Sequence, residues 1–589
     1  MGLVGCSRRS FFHALLLAGA AALGAVPCGR ALALGVALPE GGAALPDQPA
    51  DDPFASLPAD PVERLGALCA LFDERLTAFT QTYAASVQNA DTAYAEPMLA
   101  FVELCARGAE EVAAARAALE SSDVQVAPQV FEACDALAAT LGFYEGYYRS
   151  SDPLMEFQAR AAEGAYAVEE ELLDALYGAM GEVRSNYRAL ALPAYLTDLW
   201  PRYIAQIDAY QEKIYADYLA LVRDDVLMGF SSRQLLARQP YIMYRYESLM
   251  YGLMGMQLRN AAAALGADPE AEPSAYVDYA MAAEVYPNLY PSADSVVNLA
   301  VCTQGGARDL LVEVRAQGFL QEYRQKLTAT PEVAFLMVKP PVAVGAADLT
   351  TERDAQLVLT VTDLATGALL VQESRPLTLH SVYDFTLASD EFGIVEPYNV
   401  LAWMRPDAQE VLEVRRGAID WLERNLGEGY SSLPGYQLGY PGEDESTTAL
   451  LQAVAIQGAV SDLGVRYNMG SYSFGTFQRV LTPDAVVRSR SGICIETALL
   501  VASALQSANM HPMVVIVPGH AQVALETWAG SGQYLLLETT VLPFTGADGQ
   551  VGSFVTAPTA QEWAEYLGRD GVYVIDCDLA SQLKVRGLA

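Results

Sequence analysis

The spacing of apolar residues changes twice along this chain of 589 residues, and each change predicts a different fold class. From 61 to 290, apolar residues recur at intervals of three and four among Ala, Leu and Glu, which predicts an all-α helical bundle. From 291 to 390, short β-branched runs separated by turn residues predict a central β-sandwich of the Ig-like kind. From 391 to 589, helix-like and strand-like segments alternate, which predicts an α+β domain.

The N-terminus has the three parts of an export signal in order. Arg8 and Arg9 precede an apolar run at 14–26, and a small-x-small cleavage pattern ends at Ala33. The paired arginines resemble a twin-arginine signal, although an ordinary Sec signal remains an alternative. We therefore expect residues 1–33 to be removed on export, residues 34–60 to be a flexible linker, and the mature protein to be extracytoplasmic, either secreted or associated with the cell envelope.

Composition and charge exclude several classes of binding partner and cofactor. The formal net charge is −36, which disfavours nucleic acid and anionic membranes because both require a basic surface. Beyond the signal, no apolar run is long enough for a transmembrane span, so none is expected in the mature chain. Neither a CxxC pair nor a cluster of histidines suggests a metal, and no cofactor motif is visible. One predicted helical region contains Cys69, Cys105 and Cys134, and a disulfide could join two of them.

Tyrosine is unusually frequent in the predicted helical bundle, with Tyr144, Tyr147, Tyr187 and Tyr203 among many others. The favoured interpretation is a bundle core whose hydroxyl groups reach its edge. The alternative is a groove that binds sugar or peptide through aromatic faces.

Cys494 is the candidate nucleophile. It follows Ser491-Gly492, a plausible helix entry, and precedes a continuous helix-forming segment from Ala498 to Ala508. This places Cys494 in the first helical turn, where unpaired backbone N–H groups and the helix dipole favour a thiolate. Its own backbone N–H would point towards a developing oxyanion.

The candidate base is His520. Of the histidines outside the signal, His380 falls in the predicted sandwich and His511 in a connection before Pro512, whereas His520 lies at a break between two apolar strands. The strand ending at Glu538 follows a Gly-Ser-Gly turn, and antiparallel pairing would bring this carboxylate within a few residues of His520. Such a carboxylate would fix the imidazole tautomer. Glu526 is an alternative because it shares strand parity with His520.

The segments RSGICIETALL, PGHAQVA and LLLETT resemble the transglutaminase-like superfamily in roughly the last 190 residues of the chain. The resemblance implies a papain-like fold with Cys494, His520 and Glu538 as the catalytic triad. Aspartate is the commoner third residue, so the longer side chain of Glu538 is a departure. The stretch from Gln478 to Pro483 also resembles a segment before the nucleophile in bacterial relatives, which makes Gln478 the candidate oxyanion donor.

The function expected from these features is an exported thiol enzyme that cleaves or transfers amide bonds in a protein or peptide substrate. Among bacterial relatives, a cysteine peptidase or amidase is implied more often than a cross-linking enzyme. The alternative is a catalytically inactive scaffold or partner-binding envelope protein, against which the intact Cys, His and Glu argue. Substrate, oligomeric state and the role of the helical region are not predicted.

Overall fold

The computed structural model of the chain describes most of the sequence beyond residue 51. The predicted export signal (1–33) and most of the predicted linker (34–60) lie outside the described residues. The described residues are 52–89, 95–121, 126–162, 165, 169–208, 230–266, 274–293, 295–343, 349–386, 397–468, 478–541, 544–545, 551–552, 555–559, 562–563, 566 and 572–580.

The N-terminal region is helical, as predicted. Along the first helix, Leu65, Leu68, Phe72 and Leu76 are buried at intervals of three and four, so one face of the helix packs into the core. Phe54, near the end of the predicted linker, is also buried against this region. The helices are α1 (Pro61–Asn89), α2 (Ala95–Ser121), α3 (Pro128–Arg149), α4 (Asp152–Ala162), α5 (Glu169–Ala189) and α6 (Phe230–Leu265), and a further helical stretch covers 199–208.

Several described tyrosines of the helical region lie around one buried carboxylate. Glu247 on α6 accepts hydrogen bonds from the hydroxyl groups of Tyr83 and of Tyr147, the latter at 2.7 Å. Trp200 packs against the rings of Tyr147 and Tyr203, with centroids 5.6 and 5.3 Å apart. These tyrosines therefore form a core, as the favoured interpretation predicted, and do not line an open groove.

The middle of the chain is β-rich, as predicted, and forms two sheets around one apolar core. One sheet has the order β1-β3-β6 and the other the order β2-β8-β7-β4-β5. In β7, inward-facing Leu357, Leu359 and Val361 alternate with more exposed residues. The strands are β1 (Ser274–Met281), β2 (Glu284–Val285), β3 (Val297–Gln304), β4 (Arg308–Ala316), β5 (Tyr323–Ala329), β6 (Ala334–Val338), β7 (Arg353–Asp363), β8 (Leu369–Leu379) and β9 (Asp384–Phe385).

The strand β1 corrects the sequence prediction that the helical region extends to 290. It pairs antiparallel with β3 along its whole length, from Ser274 opposite Gln304 to Met281 opposite Val297. Alternate residues of β1, such as Val277 and Tyr279, pack onto the sandwich core, but the opposite face is only partly covered. The alternation of apolar and polar residues along this strand is therefore weak. Its Ala and Met residues are also more typical of a helix than of a strand, which explains the sequence prediction.

The C-terminal region combines helices with a five-stranded sheet of order β18-β15-β14-β13-β19. The helix α10 packs against β13 and β14, and α7 and α8 pack against α10. The helices are α7 (Gln409–Leu426), α8 (Glu445–Asp462), α9 (Pro483–Ser489) and α10 (Cys494–Ser507). The strands are β10 (Arg466–Tyr467), β11 (Gln478–Arg479), β12 (Ser491–Gly492), β13 (Pro512–Val517), β14 (His520–Glu526), β15 (Tyr534–Leu537), β16 (Phe544–Thr545), β17 (Val551–Gly552), β18 (Val555–Thr556) and β19 (Tyr573–Asp576).

Two general properties of the described residues bear on the predictions. All six cysteines among them are buried free thiols, so Cys69, Cys105 and Cys134 form no disulfide with one another. Within the same residues, no helix combines the length and the apolar character that crossing a membrane requires.

Candidate functional site

Cys494 is the first residue of α10. Ile493 is extended and caps the helix, and the preceding residues Ser491–Gly492 form the short strand β12. A Cβ at Gly492 would lie 3.2 Å from side-chain atoms of Thr497 and Val486, so the entry to the helix is tightly packed. The thiol of Cys494 therefore lies at the N-terminal end of a buried helix, as the sequence predicts, where backbone N–H groups have no intrahelical acceptor.

Glu496 fixes this helix entry. Its Oε2 accepts a hydrogen bond from the backbone N–H of Ile493 at 2.8 Å, and its Oε1 accepts one from Leu481 N–H at 2.7 Å. The first bond is the carboxylate half of a capping box. The second ties α10 to the segment that follows β11. Glu496 is buried, and burial raises the pKa of its carboxyl group even though both N–H donors act in the opposite direction.

His520 and Glu538 are brought together by the β14–β15 pairing. Val523 lies opposite Leu537 in this antiparallel pair, which places Glu538 just beyond the paired residues and close to the start of β14. His520 itself follows Gly519, whose positive φ of 77° forms the tight turn between β13 and β14. The imidazole Nε2 lies 2.8 Å from Glu538 Oε2.

The side chain of Cys494 lies near enough to the same ring to raise the pKa of the imidazole. Since Nε2 faces Glu538, Nδ1 is the ring nitrogen left for the thiol. The effect of Cys494, followed by the hydrogen bond with Glu538, raises the pKa of His520 to about 10, against the opposing effect of burial. The ring is therefore a cation over the whole neutral range, held between a sulfur and a carboxylate.

Glu538 is held at both of its oxygens. Oε2 accepts from His520, while Oε1 accepts from the backbone N–H of Thr540 at 2.9 Å and from its hydroxyl at 2.6 Å. Burial opposes ionisation, but the bonds from His520 and Thr540 lower the pKa of Glu538 to about 2. Gln457 of α8 donates to the backbone carbonyl of Glu538 at 2.9 Å and fixes the main chain at this point.

A further bond joins the helix of Cys494 to the strand segment of Glu538. The buried hydroxyls of Thr497 and Thr539 lie 3.2 Å apart. Thr497 is one helical turn beyond Cys494, and Thr539 directly follows Glu538. Glu496, Thr497, Thr539 and Thr540 had no predicted role, although all four lie within the segments RSGICIETALL and LLLETT that indicated the site.

Gln478 lies on β11, which pairs with β9 of the middle region, Gln478 opposite Phe385. The strand leads directly to Leu481, whose N–H binds Glu496. Gln478 is thus connected through the main chain to the entry of α10, and its proposed role as oxyanion donor stays a prediction. Tyr467 lies close enough to the site for Cys494 and Glu538 to raise its pKa, after the larger effect of burial.

Glu526 and His511 lie at the other end of the same sheet. Glu526 ends β14 and contacts His511, at 3.1 Å between Oε2 and Nδ1, instead of His520. The alternative of Glu526 as the carboxylate partner of His520 is therefore wrong: the two are the first and last of the seven residues of β14, and the shared strand parity could not reveal this.

Residues 420–548 match the model of a family described as a transglutaminase-like domain. The matched range contains Cys494, His520 and Glu538 and lies inside the predicted C-terminal domain. The C-terminal region of the chain therefore carries a transglutaminase-like domain, which confirms the resemblance inferred from the sequence. A comparison with curated proteins gives no match.

An imidazole between a thiol and a carboxylate can hold the proton of the thiol and later return it to a leaving group. The carboxylate keeps the ring oriented and balances its charge. Among the described residues of the site, Thr540 and Gln457 hold Glu538 by further hydrogen bonds, and Glu496 holds the helix entry at Cys494.

Proposed function

We propose that this chain is an exported thiol enzyme that cleaves or transfers amide bonds, most simply a transglutaminase-like cysteine peptidase or amidase. The observation that carries the proposal is that His520 is hydrogen-bonded to Glu538 and lies beside Cys494, whose thiol is at the N-terminal end of α10. Export rests on the signal pattern in residues 1–33.

In this proposal the sulfur of Cys494 attacks the carbonyl carbon of an amide. The backbone N–H of Cys494 and the side chain of Gln478 would donate hydrogen bonds to the oxyanion. The C–N bond then breaks, and His520 gives its proton to the leaving amine, which leaves a thioester on Cys494. Attack by water yields a carboxylic acid, and attack by a second amine yields a transferred amide; either releases the free enzyme.

The burial of Cys494 favours a second candidate function. Cys494 is only 2% exposed, so neighbouring groups must move before the carbonyl group of a substrate can reach the sulfur. A scaffold that has kept the domain as a binding module would not need such access. The proximity of His520 argues for catalysis, because a scaffold does not require a histidine beside the thiol.

The test is to incubate the mature chain with a proteome-derived peptide library and to identify products by mass spectrometry, with Cys494→Ala as the matched control. New peptide termini would establish a peptidase, a gain of about 1 Da at glutamine an amidase, and coupling to an added primary amine a transferase. Modification that is equal in the control, or absent in both, would contradict the enzyme proposal and favour the scaffold.

A further inference from the structure

A second cluster of polar side chains lies at the opposite end of β13 from His520. His511 Nε2 is 2.8 Å from Asp576 Oδ1 and 3.8 Å from Asp578 Oδ2. One ligand atom from each of these three residues lies within 4.8 Å of the others. Because the six residues of β13 separate the two histidines, this cluster is about 20 Å from His520 and independent of the thiol site.

These separations suit a single metal ion. Donor atoms that bind one ion at about 2.0–2.2 Å lie about 3–3.5 Å from one another. The distances of 2.8 and 3.8 Å bracket this range. An imidazole nitrogen combined with carboxylate oxygens is a donor set that binds zinc and manganese, whereas magnesium prefers oxygen alone.

Glu526 orients the imidazole in the way that metal-binding histidines are oriented. Its Oε2 lies 3.1 Å from Nδ1, the ring nitrogen turned away from the two aspartates. A carboxylate there accepts the Nδ1 proton and directs the Nε2 lone pair towards the ion. Glu526 is itself buried, and its Oε1 accepts a hydrogen bond from Gly532 N–H at 3.1 Å, so its position is fixed.

The cluster is accessible from solvent through a cavity of about 500 Å³. His511, Glu526 and Asp578 line this cavity, and no Lys or Arg is among the described residues that do so. Asp576 is buried, whereas the side chain of Asp578 is 57% exposed at the mouth. An ion would therefore have protein ligands on one side and open coordination positions on the other.

We propose that His511, Asp576 and Asp578 bind one divalent transition-metal ion of the zinc class, with Glu526 as the positioning residue for His511. The sequence gives no sign of this site, because the ligands come from two segments 65 residues apart. The site joins the edge strand β19 to the start of β13. A histidine that only bridges Glu526 and Asp576 as an ion pair is the competing explanation, and it predicts no metal affinity.

The test is calorimetric titration of the full mature chain with Zn²⁺. A Cys494→Ala background removes the thiol of the separate Cys494–His520 site, which could otherwise bind the metal. We expect one bound ion, and at least about tenfold weaker binding in Asp578→Ala, since a ligand is lost. The matched control is Asp462→Ala, which removes a half-exposed carboxylate that lies outside the cluster and pairs with Arg424; this variant should bind like the parent.

Asp578 is exposed, so its substitution should leave the fold intact, and His511→Gln provides a second variant that should also lose the ion. Absence of a Zn²⁺ site in the parent would overturn the proposal. Equal affinity in the parent and Asp578→Ala would overturn it as well, because the ion would then be bound elsewhere.

Discussion

At the residue scale, the charge of His520 depends on its two partners. Cys494, which lies beside the ring, and Glu538, which hydrogen-bonds with it, hold the pKa of His520 at about 10. A neutral amide in place of Glu538 would still accept a hydrogen bond but would no longer balance the imidazolium. The positive charge of His520 at neutral pH is therefore a property of the cluster and not of the histidine alone.

We predict that Glu538→Gln lowers the titration midpoint of His520 by about one pH unit or more, because a neighbouring negative charge is removed. The measurement is a pH titration of the imidazole nitrogens by ¹⁵N NMR, which is tractable because the whole chain has only four histidines. An unaltered midpoint for His520 would mean that Glu538 does not support its charge.

Residues of the site could be predicted from the sequence where a pattern of neighbouring residues indicates them. Cys494 precedes a continuous helix former, and His520 and Glu538 lie on neighbouring strands joined by a recognisable turn. Glu496 could be seen in the same segment, but its bond to Leu481 could not, because it depends on how two segments pack. The pairing of His511 with Asp576 was invisible for the same reason.

At the element scale, the position of Cys494 depends on the first turn of α10. Glu496 is the acceptor for two backbone N–H groups, one from Ile493 and one from Leu481. Glutamine has only one carbonyl oxygen and would direct an NH₂ group at the other donor. We predict that Glu496→Gln destabilises the protein by about 2 kcal/mol, the cost of a buried unsatisfied N–H.

Urea unfolding measures this loss. Glu445→Gln is the matched control, since Glu445 also lies in a first helical turn but is exposed, and it should change stability little. Iodoacetamide labelling of Cys494 in folded Glu496→Gln should also slow down, because the helix entry is displaced. Equal stability of the two variants would show that the bonds of Glu496 are dispensable.

The helical region contains a second element-scale prediction, at Glu247. Burial raises the pKa of this carboxyl group to about 7, although the hydroxyl groups of Tyr83, Tyr147 and Tyr203 act in the opposite direction. An unfolded glutamate ionises near 4.5. Between these values the unfolded state has already lost the proton that the folded state keeps, so stability falls as pH rises from 4.5 to 7 and stays lower above.

We therefore predict that Glu247→Gln gains about 3 kcal/mol of stability relative to the parent between pH 4 and pH 8, since the amide does not ionise. Hydrogen exchange of the α6 amides at the two pH values measures the opening free energy. Glu182→Gln, which removes an exposed carboxylate of α5, serves as control. A constant difference between Glu247→Gln and the parent would contradict the prediction.

At the scale of the whole molecule, the middle and C-terminal regions are joined near the site. The strand β9 of the middle region pairs with β11. The guanidinium group of Arg405 donates a hydrogen bond to Asn288 Oδ1 of the middle region at 2.6 Å. The backbone N–H of Arg405 donates to the hydroxyl group of Ser503 on α10 at 3.1 Å. The regional fold classes followed from apolar spacing. These contacts between regions could not be predicted, because no local pattern encodes which surfaces meet.

We predict that Arg405→Met lowers the free energy of unfolding by about 2 kcal/mol, because buried Asn288 loses a charged donor. We expect both the middle and the C-terminal region to lose stability. Differential scanning calorimetry combined with limited proteolysis distinguishes the unfolding of the two regions. Arg416→Met, in which a 62% exposed guanidinium is removed, should have little effect. Destabilisation confined to one region would argue against a coupling through Arg405.

The central claim, a thiol activated by His520, is tested most directly by the rate of iodoacetamide alkylation of Cys494 as a function of pH, in the parent and in His520→Ala. Mass spectrometry reads each cysteine, and buried Cys69, Cys105 and Cys577, whose pKa values burial raises, are internal references. We expect fast labelling of Cys494 that persists below about pH 6 in the parent and is lost in the variant. Labelling that rises only near pH 8.5, equally in both, would mean an ordinary thiol and would contradict the account.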